Sequence, residues 1–212
     1  MAAGTKARVA LGLRAQKGGA VVVAAGMERG EPRVVLSTFL ATAVAGDRLS
    51  AEPYGVAAEF ERGPQGKASL EAAAAVAEGR RRQDEQAAIG LGTIVRELEA
   101  ARCRPVVAAL LVNRAGWITD LLEYSGAWPE HVPVAEGLAV RGALRFACKQ
   151  HDLHVVEFDE KSLPDFAASA LGLSAASVDA RLNALGILAG RPWRKEQKLA
   201  CLAAWNALAM KR

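Results

Sequence analysis

A chain of 212 residues and 22.3 kDa fits one domain or a tight pair, and its 51% hydrophobic content is too high for a disordered chain. Aromatics make up only 5% while alanine occurs 45 times, so the core is predicted to consist of small aliphatic side chains. Twenty-seven Lys plus Arg against 23 Asp plus Glu leave a net charge of +4 and a pI near 9.1, which raises nucleic acid as a partner without deciding it.

The first forty residues read as three strands. Arg8 to Arg14 and Ala20 to Ala25 are apolar and β-branched, joined by a turn whose glycines (Gly18, Gly19) reach positive φ without steric cost. A second turn, Glu28 to Pro32, leads to a strand over Arg33 to Thr38, which completes an antiparallel meander. Ala41 to Gln65 is broken by Gly and Pro, with room for a short helix around Tyr54 to Phe60 whose ends the pattern does not set. Lys67 to Arg102 is predicted to be helical, with an apolar stripe through Leu70, Ala74, Ala77, Ile89, Ile94 and Leu98. A break or kink is expected near one of Gly79, Gly90 and Gly92.

Pro105 to Val112 is a continuous apolar run, the pattern of a central strand buried on both faces. A short helix (Trp117 to Glu123), a proline turn, a helix from about Val134 to Gln150 and a strand over Leu153 to Phe158 follow. The rest is helical: Pro164 to Leu171, Ser174 to Leu185 and Glu196 to Met210, with Ser174 an N-cap and Gly186 a C′ glycine. The expectation is one α/β domain over residues 1–212, a mixed sheet of three antiparallel and two parallel strands with helices on both faces.

Cys103, Cys148 and Cys201 are too widely spaced for a disulfide framework and suit a reducing cytoplasm. No run approaches roughly 18 uninterrupted apolar residues, so no membrane partner is expected. The opening Met1 to Arg8 is short, lysine-bearing and unlike a signal peptide.

Phosphate-cradling motifs of the Rossmann and P-loop types are absent, as is Gly-x-Ser-x-Gly. His151 and His154 do not have the spacing of a compact zinc site. Two cationic clusters stand out: Arg80-Arg81-Arg82, and Arg191, Arg194, Lys195 and Lys198. The turn Gln16-Lys17-Gly18-Gly19 would offer amides and the Lys17 ammonium to an anion, or serve only as a hairpin turn.

The element order resembles the ribonuclease H-like fold, including its RuvC-type Holliday-junction resolvases. Leu11-Gly12-Leu13-Arg14-Ala15-Gln16-Lys17-Gly18-Gly19 followed by Ala20-Val21-Val22-Val23 is similar to the first hairpin of those proteins. Glu196-Gln197-Lys198-Leu199-Ala200-Cys201-Leu202-Ala203-Ala204-Trp205 is similar to their last helix. The chain also resembles an uncharacterised bacterial group with the same opening Gly-Leu-Arg, the same closing Glu/Asp-Gln-Lys and Ala-Ala-Trp, and no usual catalytic carboxylates.

The resemblance implies a nuclease whose clustered carboxylates hold two divalent metals that activate water. This chain departs from that pattern. The first-strand Asp is matched by Arg14, and the central strand reads Ala108-Ala109-Leu110-Leu111-Val112-Asn113-Arg114 without a carboxylate. Arg8 to Arg33 contains only Glu28 and Glu31, both in a turn, so a register shift does not restore the acid.

The expectation is a catalytically degenerate protein with no metal and no cofactor, binding nucleic acid or a protein partner without cleavage. Arg14, Lys17, Trp193, Arg194, Lys195 and Lys198 are the candidate anion-binding residues, with Trp193 stacking on a base or stapling the last helix. Glu196 would pair with Arg14 in place of a metal. Two other readings stand beside it. One is a divergent nuclease using Mg²⁺ or Mn²⁺ on a residual acidic site of Glu59, Glu136 and Glu196. The other is a scaffold that forms a homodimer through the alanine-rich helix.

Overall fold

A computed structural model describes residues 6–113 and 117–211. Met1 to Thr5 and Arg114 lie outside the described residues. Three strands open the chain: β1 (Ala7–Gln16), β2 (Gly19–Glu28) and β3 (Glu31–Ala41). They form an antiparallel meander turned by Gly18 and Gly30, both at positive φ. Two short helices, α1 (Arg48–Ala51) and α2 (Pro53–Ala57), precede α3 (Leu70–Ala100) and the central strand β4 (Cys103–Val112). Then come α4 (Leu121–Ala127), α5 (Val132–Gln150), β5 (Val155–Asp159), α6 (Leu163–Leu171), α7 (Ala175–Ala189) and α8 (Lys195–Ala209). The sheet runs β3-β2-β1-β4-β5, with β4 parallel to both β1 and β5.

Strand alternation sends the core two ways. Val9, Leu11 and Leu13 of β1, with Leu110 of β4, face α3 and α5. Ala10, Val21, Val23, Ala109 and Leu111 face α6, α7 and α8. Both faces of the sheet are therefore covered, the expected α/β arrangement of three antiparallel and two parallel strands with helices on each side. No helix among the described residues is long and apolar enough to cross a membrane.

Helix α8 lies directly on β1 because Gly12 has no side chain: an added Cβ would stand 1.7 Å from the Ala200 carbonyl oxygen. The contact brings the first strand and the last helix together and sets the geometry described below.

Several expectations need correction. Helix α3 runs unbroken through its glycines, of which Gly79 and Gly92 serve instead as sites of close approach. A Cβ on Gly79 would meet Leu49 O at 2.5 Å, and one on Gly92 would meet the His151 ring at 3.0 Å. The buried stripe of α3 is Ala72, Val76, Gly79, Gln83, Ala87, Leu91, Ile94 and Leu98. Ile94 and Leu98 are inside as expected, but Leu70, Ala74, Ala77 and Ile89 face solvent, with Leu70 86% exposed. Alanine is equally at home on either side of a helix, so the apolar pattern was ambiguous there. The short helix expected at Tyr54 to Phe60 is α2, which ends at Ala57, and that expected at Trp117 to Glu123 is α4, which begins at Leu121. Gly186 lies inside α7 beneath Trp193, and Gly190, at positive φ, follows the helix. Ser174 caps α7 as expected, accepting from Ser177 N.

Candidate functional site

Arg14 continues the alternation Ala10, Gly12, Arg14 on the face of β1 that meets α8. Two strand residues advance about 6.6 Å and four helical residues about 6 Å, so the pair Gly12–Ala200 brings Arg14 beside Glu196. Its Nη1 lies 3.9 Å from a Glu196 carboxylate oxygen. The tighter partner is Glu160, directly after β5: Arg14 Nε and Nη2 donate to the same Glu160 oxygen at 3.2 and 2.8 Å. Both side chains are about one-fifth exposed, a desolvated setting in which a charge-assisted pair is stronger than at a free surface.

The cleft at the carboxyl ends of β1, β4 and β5 is therefore closed by a guanidinium between two carboxylates. Asn113, directly after β4, likewise brings no acid to this end of the sheet. Divalent metals of the kind used by two-metal nucleases require hard oxygen donors gathered around one point. Arg14 offers none and holds the cleft with a fixed positive charge, so these residues do not fit such a metal pair. Among the described residues, no group of three His, Cys, Asp or Glu side chains is close enough to share a metal ion.

The three acids considered as a residual metal site are dispersed. Glu59 is exposed and pairs with Arg48. Glu196 faces Arg14. Glu136, in α5, accepts from the backbone N–H groups of Tyr54 and Gly55 at 2.7 and 2.9 Å, tying α2 to α5, while its other oxygen is buried without a partner among the described residues. Burial pushes its pKa up to about 7, against the pull of those two N–H groups. Its role is thus a tie between helices.

The anion-binding candidates divide in the same way. Lys17 reaches from the β1–β2 turn to Glu52, Nζ to Oε1 at 2.5 Å, and that hydrogen bond raises the Lys17 pKa and lowers that of Glu52. The Trp193 indole lies against Gly186 and donates to Leu182 O at 2.9 Å, so its ring staples the start of α8 to α7. Arg194, Lys195 and Lys198 open α8, where Gln197 caps the Arg194 N–H; no carboxylate of the described residues pairs with these three cations or with Arg191. By contrast, Arg81 and Arg82 of the other basic cluster pair with Glu78, Glu85 and Asp47.

His151 caps the end of α5 and its Nε2 lies 2.9 Å from Ala88 O, a packing role on α3. Cys148 and Cys201 are buried and burial pushes their thiols up to about 12, so both are inert packing groups.

Two residues outside the candidates drawn from the sequence also carry the geometry. Glu160 was two positions beyond Phe158 on the same strand face, a signal legible from period-2 alternation. Arg141, buried in α5, donates from Nε to Leu111 O and from Nη1 to Gly137 O, both at 3.2 Å. Its helix was expected, but nothing in the pattern distinguished an inward-facing Arg from the exposed ones.

No protein-family profile and no curated protein matches this chain. Among solved structures, the chain is similar to Thermus thermophilus RuvC in complex with Holliday junction substrate, at 12% identity and a TM-score of 0.52, covering 96% of this chain and 94% of that one. Thermus thermophilus RuvC in a second structure gives 11% identity and a TM-score of 0.49, covering 96% and 95%. The yeast mitochondrial Holliday junction resolvase Ydc2 gives 12% and 0.44, covering 95% and 82%. With its β3-β2-β1-β4-β5 mixed sheet and α8 laid across β1, the chain has the ribonuclease H-like fold in its RuvC-type form.

Proposed function

We propose that the chain is a catalytically degenerate member of this nuclease fold, which binds nucleic acid at the α8 end of the cleft and does not cleave it. One observation carries the reading: a guanidinium, Arg14, fixed between Glu160 and Glu196, stands where the resemblance requires the first metal-binding carboxylate. Beside it, Arg194, Lys195 and Lys198 have no carboxylate partner among the described residues, so their charge is available to phosphates. The RuvC structure with a Holliday junction substrate supports branched DNA as the first ligand to test. Arg14 acts indirectly here, by fixing Glu196 and hence the start of α8, and Trp193 acts by stapling that start to α7.

The test is filter binding of four-way-junction, duplex and single-stranded DNA over a salt series. Retention that falls steeply with salt, with log affinity linear in log salt, is expected for phosphate contacts. No retention of any of the three at about 50 mM salt, where phosphate contacts are strong, contradicts the reading.

A further inference from the structure

A cavity of about 570 Å³ opens between the β1–β2 turn, the α1–α2 segment and the first three turns of α5. It adjoins the Arg14 cleft but is lined by different side chains. Its volume lies within the roughly 300–1,000 Å³ of small-molecule sites. One wall is aliphatic, made by Val132, Val134 and Leu138, and Lys17 and Glu52 stand at the rim as an ion pair.

At the polar end stands Arg141, only 8% exposed. Its Nε and Nη1 donate to the Leu111 and Gly137 carbonyls, and no hydrogen bond among the described residues engages its Nη2. Among the described residues no carboxylate forms an ion pair with it, whereas Arg14 has two within 4 Å. Burial accordingly pulls the Arg141 pKa down. Glu160 and Glu157 act on Arg141 only from beyond ion-pair distance, and Arg14 and Arg145 oppose them. A buried cation with no anion in contact is costly, and an anionic ligand at this point relieves that cost.

We infer that this cavity binds a small organic monocarboxylate, whose carboxylate meets Arg141 and whose apolar body lies along Val132, Val134 and Leu138. A singly charged group suits the site better than a phosphate dianion, because Glu52 and Glu136 also border the cavity and repel added negative charge. The site does not depend on the nucleic-acid reading.

The experiment is a titration of the full chain with hexanoate and benzoate, followed by amide chemical shifts, with neutral hexanamide and inorganic phosphate as comparison probes. Saturable shifts in the β1–β2 turn and the first turns of α5 are expected with at least one carboxylate, and with neither comparison probe. Arg141→Gln is expected to weaken the carboxylate about tenfold or more. Because Arg141 also serves two carbonyls, Leu138→Trp supplies a second arm. It fills the cavity from the aliphatic wall, leaves Arg141 in place, and is expected to abolish binding in a protein whose thermal melt shows it folded. No saturable shift with either carboxylate up to about 10 mM, equal affinity for hexanamide, tighter binding of phosphate than of both carboxylates, or unchanged binding in folded Leu138→Trp each overturns the inference. Junction DNA added to the same samples reads the α8 surface separately, so loss of one site is distinguishable from loss of the other.

Discussion

Arg14 and Glu160 lie 146 positions apart in sequence, yet two guanidinium nitrogens of one converge on a single carboxylate oxygen of the other, at 3.2 and 2.8 Å. The pair ties the first strand to the segment after the last strand across β4, and Glu196 draws α8 into the same arrangement. The Arg14 charge thereby joins the three elements that border the cleft.

Removing one partner should cost more than removing both. Arg14→Met leaves Glu160 and Glu196 facing each other without a cation and is expected to lose about 1–3 kcal/mol in urea unfolding. Arg14→Met with Glu160→Gln should recover part of that loss, giving a coupling of about 1 kcal/mol in the double-mutant cycle. Additive losses would mean that the two side chains do not share an interaction.

Gly12→Ala places a methyl group 1.7 Å from the Ala200 carbonyl, a backbone atom that cannot turn aside. Helix α8 must retreat from β1, and a loss of about 3 kcal/mol or more is expected. Gly26→Ala, where the nearest atom is a Val9 methyl at 3.3 Å, should cost much less. Equal thermal midpoints for the two variants would contradict the packing of α8 on β1.

Glu136 gives stability a pH dependence of definite sign. Its folded pKa of about 7 lies above the ordinary 4.5, so the folded state binds the proton more tightly than the unfolded state. Its contribution is fully present below pH 4.5 and is lost as pH rises towards 7. Glu136→Gln, which keeps an acceptor for Tyr54 N and Gly55 N, should remove this slope and exceed the parent at pH 8 by about 1–2 kcal/mol after allowance for solvent screening. The difference between the two proteins' unfolding midpoints from pH 4 to 8 isolates this group from the histidines. Parallel curves would show that Glu136 ionises normally.

The sequence made the sheet legible because β-branched runs, glycine turns and a continuous apolar strand leave few arrangements. It also exposed the central oddity, since Arg14 occupies a strand position whose neighbour Gly12 marks close approach of another element. The helix faces were less readable: alanine carries no strong inside–outside preference, so the buried side of α3 at Ala72 and Val76 could not be told from Ala74 and Ala77. The partners of Arg14 and the cavity under Arg141 depend on contacts more than 100 and about 30 residues distant, beyond the range of any local pattern.

The cationic start of α8 should carry the salt dependence of DNA binding. Replacing Arg194, Lys195 and Lys198 together by Ala is expected to reduce the slope of log affinity against log salt by about 2–3 units. Trp193→Phe loses the bond to Leu182 O and about 1 kcal/mol of stability, while leaving junction affinity near that of the parent. A large affinity loss in a fully folded Trp193→Phe protein would point instead to base stacking by the indole.

The most direct test of the cation-for-metal exchange is a four-way junction incubated with the protein and Mn²⁺, with complex and cut strands read on parallel native and denaturing gels. The expected result is a retarded junction whose strands remain intact whether or not Mn²⁺ is present. Mn²⁺-dependent nicked strands that disappear in Glu196→Gln would contradict the account and return the chain to the working nucleases.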